Sequence, residues 1–210
     1  MKLDGKVTRR EAIKAGTMGA ASLLIAGASG IALPKSAYAE EQEKIYYNLD
    51  ETNCPEIKRA NDFARMKYEE AVAKSLAEGE EPVVVEQFPL ARGADSLCTG
   101  TYQYAMPGHV TSIALIGFTT SYYRAIDEYG VARFGDVHSC YAYAADLRTG
   151  VTEEGSTAPV RLDGGRTLAK GFGLYIEAAD WANPLVVWTA HQAFYVEFGA
   201  ESNRATIHLP

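Results

Sequence analysis

The chain has 210 residues with 20 basic and 27 acidic side chains, a formal net charge of −7. That length suits one domain with a sizeable core, and so acidic a balance without a basic stripe excludes recognition of nucleic acid or anionic lipid surfaces. The three cysteines, Cys54, Cys98 and Cys140, exclude four-cysteine iron–sulfur patterns, and no Cys-x-x-Cys-His run exists for haem attachment.

The first feature in chain order is Thr8-Arg9-Arg10-Glu11-Ala12-Ile13-Lys14, followed from Ala15 to Leu33 by an uncharged run diluted with Gly16, Gly19, Gly27 and Gly30. Pro34 breaks any helix, Lys35 follows, and Ala37-Tyr38-Ala39 offers the small residues that a signal peptidase accepts. This ordered set, Arg9 and Arg10 above all, resembles a bacterial twin-arginine leader, although Ala12 stands where a bulkier apolar residue is commoner. The resemblance covers residues 1–39. It implies a cleavable signal peptide removed before Glu40, contact with the twin-arginine export machinery, and delivery to the periplasm, cell wall or medium. The glycines make the run less apolar than a membrane anchor, and no cysteine stands at the cleavage point to take a lipid, so no anchor is expected after cleavage. By the same resemblance the protein folds before export, often a sign of a bound group or partner, but no residue pattern here identifies a cofactor. Residues 1–39 hold six basic and two acidic groups, which leaves 14 basic against 25 acidic, a net charge of −11 after cleavage.

Residues 40–54 read as an extended polar segment and 55–210 as a single mainly β domain that begins with a helix over 55–78. Asn53, with Glu56 three residues on and Pro55 in the first turn, predicts a side-chain-capped helix start. Ile57, Ala60, Ala64, Tyr68, Ala71, Val72 and Leu76 recur at helical spacing, and Gly79 provides the stop. From Pro82, short runs rich in Val, Ile, Thr, Tyr and Phe predict strands near 83–88, 100–105, 110–119, 121–127, 131–134, 137–146, 159–162, 171–178, 184–190, 192–198 and 204–208. Many are too close together for crossover helices. The predicted fold is therefore an antiparallel β-sandwich or open barrel with one N-terminal amphipathic helix packed against it. Asp163-Gly164-Gly165 predicts a hairpin turn, and 148–158 a long polar loop.

Strand alternation makes two groups of residues candidates. His138 and Cys140, two apart, are expected on one face where both could reach a metal ion, with His109 as a third ligand. Tyr102 with Tyr104, and Tyr141 with Tyr143, share strand faces in the same way, and with Trp188 they could form an aromatic platform for a small ligand. For the thiols, a Cys98–Cys140 disulfide and a Cys54–Cys98 disulfide are both open, the first leaving Cys54 free at the helix start. No Gly-x-Ser-x-Gly elbow is present, and acidic pairs such as Glu177/Asp180 are common in so acidic a chain.

These features predict an exported, non-catalytic binding or accessory module that recognises a small ligand or partner protein through an aromatic-rich sheet. The alternatives are a metal-assisted or redox enzyme loaded before export, and a structural component of the cell surface. If the leader reading is right, mass spectrometry of the protein recovered after export will find a chain beginning at Glu40; an uncut chain refutes it.

Overall fold

The computed structural model describes residues 43–85 and 96–210. The leader with Arg9, Arg10, Ala37 and Ala39 lies outside these residues, as does the second half of the strand predicted over 83–88. In chain order the elements are β1 (Ile45–Leu49), α1 (Pro55–Ala77), β2 (Ser96–Met106), β3 (His109–Ile126), β4 (Ala132–Ala144), β5 (Thr149–Glu153), β6 (Val160–Leu162), β7 (Thr167–Ala179), β8 (Val186–Gly199) and β9 (Arg204–His208). The protein is thus mainly β, with a single helix among the described residues.

The strands form one nearly closed, barrel-like sheet in the order β4-β3-β2-β9-β8-β7-β5, with β1 added to β8 and β6 to β7. Neighbouring hairpins are antiparallel, but β1 runs parallel to β8 and β2 parallel to β9. The sheet is therefore mixed, because the segment read as merely extended supplies β1 and the last strand enters between β2 and β8.

Several expected strands fuse into longer ones. β3 is continuous where a break near 120 was expected, and β8 runs through Ala190 and His191. β4 runs through its expected break at 135–136 with a shift of register, Phe134 pairing with Arg124 and Val137 with Tyr122; a second shift follows, because Ser139 pairs with Ser121 and leaves His138 as an extra residue. The expected loop over 148–158 contains β5, whose sequence Thr-Gly-Val-Thr-Glu has one large apolar residue and hence almost no period-2 pattern. The Asp163-Gly164-Gly165 turn is present, with three successive positive φ angles of 56°, 62° and 81°.

Inward residues fill the barrel with rings. Phe118 meets Phe172 at 5.1 Å and Phe194 at 5.7 Å, Phe172 meets Phe198 at 6.4 Å, and Tyr122 meets Phe134 at 4.2 Å. Between the two ends of the strand order, side chains replace a ladder. Lys170 of β7, only 6 % exposed, donates to the Cys140 carbonyl of β4 at 2.7 Å and to Glu153 of β5 at 3.0 Å, with its ammonium 4.3 Å from the Phe172 ring. Glu153 in turn accepts the Ala142 amide of β4 at 2.7 Å.

The helix packs on β8, β7 and β6. Its buried residues are Ile57, Ala64, Ala71 and Ser75, seven and four apart, whereas Leu76, expected on that face, is 71 % exposed. The start also differs from expectation. Cys54 is the N-cap and makes no side-chain cap bond, while the Asn53 side chain turns back to the Asp50 amide and the Asn48 carbonyl. One helix residue completes the sheet itself. β1 pairs with residues 186–190 of β8 and β9 with 195–199, and Asn61 sits in the gap, donating to the His191 carbonyl at 3.3 Å and accepting the Ala193 amide at 2.6 Å. Its amide substitutes for the peptide of a missing strand.

Lys170→Ala should lower unfolding free energy by about 3–5 kcal/mol in denaturant titration, since it strands a carboxylate and a carbonyl in the interior. Asn61→Ala is expected to lose about 1–3 kcal/mol by leaving two β8 backbone groups unpaired.

Candidate functional site

The barrel wall divides the expected aromatic platform. Tyr102 and Tyr104 point inward, their rings edge-on to Phe194 at 5.9 and 5.8 Å, and the Tyr104 hydroxyl donates to Gln192 at 3.3 Å. Burial pushes both phenols above their ordinary range. Trp188 is sandwiched between Tyr47, 4.8 Å away, and His109, 3.3 Å away. Only Tyr141 and Tyr143 of the five face outward, 48 % and 36 % exposed with ring centres 6.1 Å apart.

The expected metal ligands are likewise not brought together. His109 begins β3 and Cys140 pairs with Thr120 near its other end, on the order of 30 Å along the strand. Both ring nitrogens of His138 are shielded from solvent and have no hydrogen-bond partner among the described residues. No group of three potential ligands is found among the described residues. Cys98 and Cys140 both pair with Thr120 from opposite sides, about two strand spacings or ~10 Å apart, whereas bridged cysteines need Cα atoms within about 7 Å. All three thiols are free. Burial raises Cys98 to about 11 and Cys140 to about 12, and Cys54, also buried, donates to Glu56 at 3.4 Å. Carboxylates at the strand ends serve as anchors: Asp180 accepts Thr111 and Ser112, and Asp127 binds Arg133.

What remains open to a ligand is the outward side of β2, β3 and β4. In register, Thr99 lies beside Thr119 and Tyr141, and Thr101 beside Gly117 and Tyr143; Gln103 and Leu115 make the next row. Ser121 and Ser139 share a hydrogen bond of 2.6 Å on the row before. None of these side chains is charged. Gly117 gives the Tyr143 ring room to rest on the sheet, because a Cβ there would run into the far end of that ring. The patch was hidden in the sequence because its members come from three separated segments, and only the register aligns Thr99, Thr119 and Tyr141.

The fold and this patch define a class: a mainly β protein with a nearly closed mixed sheet, one helix among the described residues packed on β6–β8, and a group of uncharged outward residues on β2–β4. Compared with protein families, curated proteins and solved structures, the chain matches none.

The His109 imidazole is held below its ordinary 6.5, chiefly by burial and against the opposing pull of Asp180. Its folded pKa lies below the unfolded one, so its contribution to stability is present above pH 6.5 and is lost as pH falls through the folded value. The melting temperature should therefore fall more between about pH 7.5 and pH 5 in the native protein than in His109→Gln. Equal falls would rule this out.

Proposed function

We propose that the protein is an exported, non-catalytic binding module that holds an uncharged, hydroxyl-rich chain, a neutral glycan, against the outward face of β2–β4. The observation that carries this reading is a set of uncharged outward residues, Thr99, Thr101 and Gln103 of β2 with Tyr141 and Tyr143 of β4, bordered by Arg204 beside Thr99 and by the exposed Asp136 of β4. Such a face avoids the cost of desolvating fixed charge and does not select a cationic or anionic partner. Tyr141 and Tyr143 offer exposed rings for the C–H faces of sugars. Thr99, Thr101 and Gln103, exposed on β2, supply donors and acceptors about 6.8 Å apart, two residues along a strand. The twin-arginine resemblance supports a location where such chains are met. Threonine and serine hydroxyls also keep the face wet enough to favour reversible binding over permanent assembly.

Affinity electrophoresis of the exported protein through gels containing neutral or anionic polysaccharide tests the reading. Retardation is expected in the neutral gels only. Tyr141→Ala and Tyr143→Ala should each weaken it by about tenfold, equivalent to ~1.4 kcal/mol, with the melting temperature little changed. Retardation that both variants leave intact would exclude this face.

A further inference from the structure

A cleft of about 520 Å³ lies between α1 and the sheet, remote in sequence from the uncharged face and within the range of small-molecule sites. Ala193 of β8 lies at its floor, beside Gly171 and Gly173 of β7, whose outward sides are covered by Thr157, Tyr68 and the Glu154–Gly155 backbone. These positions are kept small by packing. A Cβ on Gly173 would stand 2.2 Å from the Glu154 carbonyl oxygen, and one on Gly171 would meet Thr157 at 3.2 Å and the Tyr68 ring at 3.6 Å. Tyr68 belongs to the helical wall, and its hydroxyl donates to the Ala158 carbonyl at 2.7 Å, which ties that wall to the opposite rim.

The charges around this apolar floor are unbalanced. Glu51, Glu69 and Glu154 line the cleft, against Arg65 and His191. Arg65 is already engaged by Asp62 of its own helix. Among the described residues, Glu154 has His191 at 3.5 Å, Glu51 accepts the Asn61 side-chain amide at 2.9 Å, and neither Glu51 nor Glu69 has an ion pair. We propose that this cleft binds a small organic amine: the cationic head meets Glu154 and Glu69, and a flat apolar body lies over Ala193 beside the Tyr68 ring. A ring beside carboxylates is the arrangement that favours a cation over an isosteric alcohol, and the surplus negative charge repels a carboxylate ligand.

Isothermal titration of the exported protein with tryptamine, tryptophol and indole-3-propionate separates the contributions, since the three share one ring system and differ in head charge. Tryptamine is expected to bind, tryptophol at least about tenfold more weakly, and indole-3-propionate not detectably. Glu154→Gln and Glu69→Gln, both at solvent-accessible positions that should not disturb folding, are each expected to weaken tryptamine about fivefold, whereas Tyr143→Ala leaves it unchanged. Ala193→Leu, which fills the floor without altering charge, should abolish binding while the melting temperature confirms a folded chain. Absence of tryptamine binding, equal binding of tryptophol, or an unaffected Glu154→Gln/Glu69→Gln double variant overturns the proposal.

Discussion

The constraint on which the rest depends is the junction between the ends of the strand order, where β4 meets β5 and β7 without a continuous ladder. An open edge leaves backbone donors and acceptors unpaired, and here Lys170 and Glu153 engage the β4 groups that a neighbouring strand would have used. A lysine in so buried a position is tolerated because a carbonyl, a carboxylate and the Phe172 ring surround its ammonium. The pair thus converts an edge into a wall. Once the wall exists, every strand has an inside and an outside, and alternation assigns each side chain to one or the other.

That assignment bears directly on function. The rings of Tyr102, Tyr104 and Trp188 are spent on the interior and its rim, where they pack on Phe194, Tyr47 and His109. Tyr141 and Tyr143 fall on the other side and remain exposed. The bulge at His138 contributes to this: Val137 and Cys140 are both buried although three apart, which a regular strand forbids and one extra residue permits. The outward tyrosines are thus a product of closure and register together, with Gly117 giving the Tyr143 ring room against the sheet.

On the other side, α1 behaves as part of the sheet as much as a cover for it. Asn61 fills the interval between β1 and β9, and Tyr68 and Lys74 fasten the later turns to Ala158 and Asp163. The cleft opens beside these tethers, between the helix, Ala193 of β8 and the Glu154–Thr157 segment.

Much of the architecture was legible in the sequence. The helix over 55–78 and the β texture after Pro82 follow from local spacing, because helix and strand periodicities are properties of neighbouring residues. The Asp163 turn is legible for the same reason, since its left-handed conformations suit Asp-Gly-Gly. β1 and β5 were not legible: their apolar pattern is slight, and partners in β8 and β7 hold them in the sheet. The grouping of His138, Cys140 and His109, and the joining of five aromatic residues into one platform, failed because alternation states which residues share a face of one strand but not which faces different strands share. By itself the sequence determined the kinds of element, the acidic surface and the resemblance to an export leader, all of which reside in short stretches of chain. Only the tertiary structure decided which tyrosines see solvent, which cysteines approach each other and where a cleft opens, because those depend on register and closure between segments far apart in the chain.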